Sequence, residues 1–383
     1  MKNLAIVITH PIQYYSPLLK LLGCKPNLNL KVFYTWGNKA ITKHDPGFNK
    51  TIQWDIPLLD GYDYEFLDNT ATQPGSHHFS GISNPGAIKR ITQFSPHAIL
   101  VFGWAYHSHL QIIRHFRGKV PIWFRGDSTL LCESFGLKRL LKYIFLRWVY
   151  SHVDRAFYVG TNNKEYFKKY GLREEQLIFA PHAVDNDRFR VDYSKEAEIK
   201  REQLGIKKSD IVILFAGKFE AVKNPFLLLE AFVELESDDV HLLFVGNGNL
   251  ERELKISSAK HKAKNRIHFL DFQNQRSMPI IYQCCDIYCL PSDSETWGLA
   301  INEAMAGGKA IVASDKVGSA SDLIINDVNG CIFEAGNKSN LLFTLKRLTN
   351  KKKLEEMGNK SKEVIKKWNL QDVANTIWME MMK

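Results

Sequence analysis

Short apolar runs recur through this chain at intervals that leave room for one helix between neighbours, and that alternation permits few folds. In the first half the runs are LAIVIT (4–9), LKVFYT (30–35), AILVFG (98–103), PIWFRG (121–126), AFYVG (156–160) and LIFAP (177–181). Turn or cap residues bound each of them, as expected of strands buried on both faces of a parallel sheet. The second half alternates IVILFAG, a helix near 225–236, HLLFVG, a helix near 249–262, RIHFLDF, DIYCLPS, a helix through Glu303, and KAIVAS. The pattern predicts the α/β class, with helices covering parallel sheets. A length of 383 residues suits two such domains, and a hydrophobic content of 45% can fill both cores. No run approaches the roughly 20 apolar residues that span a bilayer. LAIVI, after the N-terminal lysine, is too short for a signal peptide and runs into His10-Pro11. It reads as the first strand, and the chain as cytoplasmic.

Residues 40–80, rich in Gly, Asn, Asp, Pro and His, show little periodicity and read as loops over the ligand face of the first domain. Composition turns charged from Asp185 to Lys208, which sets the domain boundary. The expected organisation is a first Rossmann-like domain over 1–190, a linker over 191–208, a second Rossmann-like domain over 209–366 and a C-terminal helical segment over 367–383. The last of these, NLQDVANTIWMEMMK, has an amphipathic helical pattern.

The stretch PSDSETWGLAINEAMAGGKAI, from Pro291 to Ile311, carries the chemistry. Leu290 ends a buried strand, SDSETWG is the loop leaving its carboxyl end, and LAINEAMA is a helix closed by Gly307 and Gly308. Ligands of open α/β sheets bind at such loops. The backbone N–H groups of Gly298, Leu299 and Ala300, with the positive end of the helix dipole, suit a diphosphate. Glu303, one turn further in, can accept hydrogen bonds from two neighbouring hydroxyls, as on a ribose.

Glu295 and Glu303 resemble the E-x7-E signature of the retaining, nucleotide-sugar-dependent glycosyltransferases of group 1 (family 4). Other segments match in family order. FAGKFEAVKNP (215–225) resembles a glycine-basic loop with a downstream lysine, LLFVGNGNLERELK from Leu242 a Gly-x-Gly turn, and PHAVDNDRF from Pro181 the segment that ends the first domain. The likeness covers most of residues 177–335. It implies the GT-B architecture, two Rossmann-like domains facing an interdomain cleft, with a C-terminal helix that crosses back onto the first domain. Glu295, Lys218 and Lys223 are then the catalytic candidates, the lysines facing the leaving diphosphate. Glu303, Gly298, Leu299, Asp271 and Gln273 are donor-binding candidates, the base being held by backbone near Asp271 to Gln273. Lys218 stands where the family usually has arginine, so charge is kept and the bidentate fork is lost.

The resemblance implies transfer of a sugar, with retention, from a UDP- or GDP-sugar, UDP favoured, to a glycan or lipid-linked acceptor in bacterial surface polysaccharide assembly. The glutamates are positioning groups rather than a hydrolase acid and nucleophile. Electrostatic stabilisation of the leaving diphosphate is the main catalytic effect. No metal and no other cofactor is expected: Asp293 and Glu295 in PSDSE could mimic a D-x-D site, but lysines and the helix dipole can replace a cation there. Two alternatives share these features, a nucleotide-sugar 2-epimerase of the same architecture and a non-catalytic nucleotide-sugar binding protein.

The first domain departs from the family, with THPIQYYSP (9–17) and FRGDS (124–128) where relatives carry a glycine-rich loop and a histidine. His10, Arg125 and Asp127 end strands and are acceptor-side candidates, capping or loop hydrogen bonding being the structural alternative. A net charge of +10 invites an anionic partner. In LKRLLKYIFLRWVYSHVDR, from Leu137, apolar residues share one helical face and Lys138, Arg139, Lys142 and Arg147 are in reach of another. That pattern fits a domain helix that buries its Leu, Ile and Trp, the favoured reading, and also a helix resting on the inner face of an anionic membrane. Nucleic acid is not expected, because no stacking platform accompanies the charge. The cysteines at 24, 132, 284, 285, 289 and 331 have no disulfide or metal spacing and read as small buried hydrophobes.

Overall fold

The computed structural model describes residues 1–38, 43–45, 47, 50–131, 133 and 136–383. Cys132 and the side chain of Lys138 lie outside the described residues. The chain forms two compact units: Met1–Lys43, Ile56–His182 and Leu370–Lys383 make the first, and His44–Asp55 with Ala183–Asn369 the second.

The first unit is built on the strands β1 (Lys2–Ile8) and β2 (Leu28–Tyr34). After the short pair β3 (Lys43–Asp45) and β4 (Lys50–Ile52) come β5 (Asp63–Phe66), β6 (Ala98–Phe102), β7 (Ile122–Arg125), β8 (Arg155–Tyr158) and β9 (Leu177–Phe179). Its sheet has the order β5-β2-β1-β6-β7-β8-β9, parallel throughout. The buried runs of β1, β6 and β7 lie in the middle of that order. The second unit contains β10 (Ile211–Ala216), β11 (Val240–Val245), β12 (Ile267–Leu270), β13 (Ile287–Leu290), β14 (Ala310–Ser314) and β15 (Gly330–Phe333). Its sheet has the doubly wound order β12-β11-β10-β13-β14-β15, again parallel. All six residues of β10 and of β11 are buried, which is why both read as unbroken apolar runs. A fully buried Leu, Ile, Val or Phe contributes about 1.5–3 kcal/mol, so these two strands anchor the second core.

Several expectations from the sequence need correction. Residues 40–80 are not all loop: Asp63–Phe66 forms the edge strand β5, and DYEF hides this because an edge strand keeps half-exposed polar residues. Residues 44–55 belong to the second unit, where the Asn274 side-chain amide donates to the Gln53 carbonyl at 2.8 Å and the Arg276 amide to Asp55 at 3.2 Å. The boundary falls after His182 rather than at 190. Residues 191–208 are no linker: the helix Ser194–Gln203 packs in the second unit through buried Arg201, which donates to the Cys284 and Lys207 carbonyls. Surface charge at the helix ends concealed that anchor. Cys24 is exposed, whereas Cys284, Cys285, Cys289 and Cys331 are buried and free.

The C-terminal helix Leu370–Met382 is part of the first unit. Trp378 Nε1 donates to the Pro26 carbonyl at 3.0 Å, and Lys25 Nζ to Asn375 Oδ1 at 2.5 Å. Among the described residues, no helix is long and apolar enough to cross a membrane.

Candidate functional site

In the second sheet the strand order reverses between β10 and β13, so the loops leaving their carboxyl ends flank the switch point. The β10 loop runs through Gly217 and Lys218 to the single 3-10 turn Ala221–Lys223. Asn224 ends that turn in the left-handed conformation, and its side chain caps the helix Pro225–Val233 by accepting from the Leu227 amide at 3.3 Å. Proline at the first helical position completes the stop-and-start signal KNP. Lys223 is thereby fixed at the edge of the sheet.

The β13 loop meets it. Glu295 and Lys223 form an ion pair, both side chains largely withdrawn from solvent. The Asn224 amide holds the Asp293 carboxylate at 3.1 Å, and the Asp293 amide donates to the Val222 carbonyl at 2.9 Å. Backbone pairing with the next loop sets the position of Glu295, whose amide donates to the Lys316 carbonyl at 3.1 Å while its carbonyl accepts from Gly318 at 3.0 Å. That approach requires glycine at 318, where a Cβ would lie 1.8 Å from the Thr296 oxygen.

Gly298 is buried with φ +89° and opens the helix Leu299–Ala306, whose first residues Leu299 and Ala300 are half-buried. Glu303 sits one turn in. It is only 6% exposed, so the helix face it occupies is not a solvated one. Burial pushes its carboxyl up to about 7, against a hydrogen bond from the Tyr282 hydroxyl and the charge of Arg188, which both act downward. The Tyr282 hydroxyl donates to Glu303 Oε2 at 2.7 Å.

The remaining donor-side candidates lie after β11 and β12. The turn Gly246-Asn247-Gly248 serves packing first: a Cβ on Gly246 would lie 2.0 Å from the Gly217 oxygen, and one on Gly248 2.5 Å from that of Phe219. The Phe219 amide donates to the Asn247 carbonyl at 2.9 Å, which docks the Lys218 loop against this turn. The Asn247 amide also holds Asp271 Oδ1 at 3.3 Å, and Lys50 reaches Asp271 Oδ2 at 3.4 Å. Gln273 Nε2 donates to the Asp271 carbonyl at 3.0 Å, and the ring of Trp54 lies against Phe272. Glu295, Lys223, Lys218, Gly298, Leu299, Glu303, Asp271 and Gln273 thus all lie on loops or helix starts that follow β10, β12 and β13.

Residues 196–364 match the family model described as Glycosyl transferases group 1. The chain carries a glycosyl transferases group 1 domain. Among curated relatives, the D-inositol 3-phosphate glycosyltransferase of Xylanimonas cellulosilytica is 28% identical over 172 residues, which cover 43% of this chain and 41% of that protein. The UDP-Gal:alpha-D-GlcNAc-diphosphoundecaprenol alpha-1,3-galactosyltransferase of Escherichia coli is 29% identical over 196 residues, 50% of this chain and 49% of that protein. The chain spans about half the length of the curated relatives it matches. HepE of Anabaena, solved in complex with UDP, superposes over 100% of both chains with a TM-score of 0.74 at 18% identity. The fold is GT-B, two parallel-sheet Rossmann-like domains.

Within the group 1 domain, sequence reasoning missed Tyr282, which lies on the helix Met278–Gln283. Nothing in IYQCCD marks it, because its role depends on that helix packing beside the Glu303 helix. Arg188 was missed for the same reason. It precedes the domain in sequence, yet its Nη2 donates to Gln275 Oε1 at 2.6 Å and its charge acts on Glu303.

The acceptor-side candidates lie outside the group 1 domain, in the first unit. Arg125 is 2% exposed, and its Nη1 and Nη2 donate to the Ala180 and Pro181 carbonyls at 2.8 and 3.0 Å. It clamps the turn after β9, the loop hydrogen bonding that the sequence offered as the alternative to an acceptor-side role. Asp127 is half-buried, and its charge acts on Arg125 and on Tyr15, whose hydroxyl burial pushes up to about 12. His10 is half-buried at the end of β1, with Thr9 Oγ1 2.8 Å from its Nδ1 and the Trp36 ring set edge-on 5.2 Å away.

Proposed function

We propose that this chain is a retaining glycosyltransferase that uses a nucleoside diphosphate sugar, with the donor bound on the group 1 domain at the carboxyl edge of its sheet. The observation that carries the reading is the ion pair between Lys223 and Glu295, which joins the loops on either side of the switch point beside the helix opened by Gly298. The helix N-terminus and Lys218 and Lys223 stabilise the leaving diphosphate, and Glu295 and Glu303 orient the sugar and the ribose. In the free protein Lys223 neutralises Glu295; an arriving diphosphate offers the lysine a second anionic partner. The departing phosphate takes the acceptor proton on the face from which it leaves. No metal is needed, because Asn224 and Lys223 already hold Asp293 and Glu295. The acceptor is a glycan or lipid-linked sugar of a bacterial surface polysaccharide, a choice supported by the lipid-linked substrate named for the Escherichia coli relative.

UDP is the favoured nucleotide, since HepE was solved with UDP and the Escherichia coli relative is named for UDP-Gal. The test is thermal melting with UDP, GDP, ADP and the matching monophosphates. A nucleoside diphosphate at 100 times its Kd should stabilise the fold by about 2.7 kcal/mol. A melting curve unmoved by all of them at millimolar concentration overturns the donor site. Product analysis with and without acceptor then separates transfer from epimerisation and from binding alone.

A further inference from the structure

The helix Leu137–Tyr150 has two apolar faces, and the fold uses one of them. Leu146, Val149 and Tyr150 are buried in the first core. Leu140, Leu141, Ile144, Phe145 and Trp148 instead lie in solvent, between 38% and 65% exposed. At 100° per residue these five share one stripe about 140° wide. The sequence offered two readings of this segment, a membrane-resting helix and a domain helix that buries its Leu, Ile and Trp. The structure divides the residues between those roles.

The charge that the helix itself carries is one-sided. The helix carries four basic residues, Lys138, Arg139, Lys142 and Arg147, and no acidic one. By helical position Arg147 borders the stripe on one side and Lys142 on the other, where Lys142 also pairs with Glu133 at 3.1 Å and keeps about half of its side chain in solvent. The Arg114 guanidinium, from the neighbouring helix His107–Phe116, lies over the Trp148 ring at 5.4 Å. An exposed row of Leu, Ile, Phe and Trp edged by cations can sink its apolar side chains to the acyl boundary and leave its charges among anionic headgroups. A second protein would have to match the apolar row and the cationic margins together, whereas a lipid surface supplies both without a specific shape.

We infer that this face docks the first unit onto an anionic membrane surface. The inference does not depend on the donor site and stands or falls separately from it. The experiment is co-sedimentation of the full chain with phosphatidylcholine vesicles and with vesicles containing about one-third phosphatidylglycerol, beside light scattering without lipid. Expected is binding to the anionic vesicles that is at least tenfold stronger than to the neutral ones. Leu141→Glu with Ile144→Glu should abolish it; both side chains are exposed, so the melting temperature and UDP-induced shift should stay as in the parent chain. Equal binding to both vesicle types, no binding to either, or unaltered binding of the double variant overturns the inference. So does a dimer that the double variant dissolves in the absence of vesicle binding, which would make the face a contact between two copies.

Discussion

Tyr282 donates its hydroxyl hydrogen bond to Glu303 Oε2 at 2.7 Å, so the second glutamate of the pair is buried and already holds a donor before any ligand arrives. The carboxyl, pushed up to about 7 by burial, changes charge near neutral pH. A ribose diol brings two hydroxyl donors, which favour the ionised form.

Nucleotide affinity should therefore rise with pH through about 7. Between pH 6 and pH 8 the ionised fraction of Glu303 changes about tenfold, and titration calorimetry with UDP should show a Kd change of that size beyond the titration of the nucleotide itself. Glu303→Gln isolates the effect, since it should bind UDP weakly with no pH dependence of its own. Tyr282→Phe removes a donor to the charged form and should move the midpoint upward by about one unit. An unmoved midpoint in Tyr282→Phe would show that the hydroxyl does not tune the glutamate.

Stability should show the opposite trend. Glu303 keeps its proton in the folded chain between its ordinary value near 4.5 and about 7, so the folded state binds more protons in that window. The contribution of this group falls as pH rises across the window and is flat above it. Glu303→Gln, neutral at every pH, should be more stable than the parent at pH 8 by on the order of 1–3 kcal/mol and comparable at pH 4. Denaturant melts at the two pH values measure this, and a loss of stability at pH 8 would contradict it.

If Lys223 faces the departing phosphate as proposed, Lys223→Ala should lower kcat by on the order of 100-fold or more. The same change leaves Glu295 without its ion-pair partner, so stopped-flow measurement of donor breakdown must accompany the melting curve. An unchanged breakdown rate removes Lys223 from the site.

Activity should persist in excess EDTA. The Asn224 amide holds the Asp293 carboxylate and the Lys223 ammonium pairs with Glu295, and on the proposed mechanism these contacts leave no cation to be supplied. Loss of turnover in EDTA, restored by Mg or Mn, would overturn the metal-free mechanism.

Gly318→Ala should cost activity together with stability, because the added Cβ meets the Thr296 oxygen and must push the Glu295 loop away. Gly336→Ala is the matched control, with φ +73° and open space around its Cβ position. It carries the left-handed penalty of about 1 kcal/mol alone and should leave kcat intact. Equal kinetic effects in both variants would show that the 295–318 pairing does not position the site.

The periodicity of short apolar runs determined the class of fold, because a strand buried on both faces must be apolar along its whole length, as β10 and β11 are. The loop-then-helix grammar around Gly298 was local chemistry, and the helix Leu299–Ala306 forms where it placed one. Tertiary structure decided what depends on partners distant in sequence. β5 forms because β2 offers it an edge, and residues 44–55 join the second unit because Asn274 and Arg276 hold them, 219 or more residues away. Arg125 became a clamp because the β9 turn places carbonyl groups over its guanidinium. Glu303 became a buried acid because the Tyr282 helix packs beside its own. In the helix Leu137–Tyr150, sequence set an apolar content larger than one face can bury, and only packing selected which side chains stayed in water.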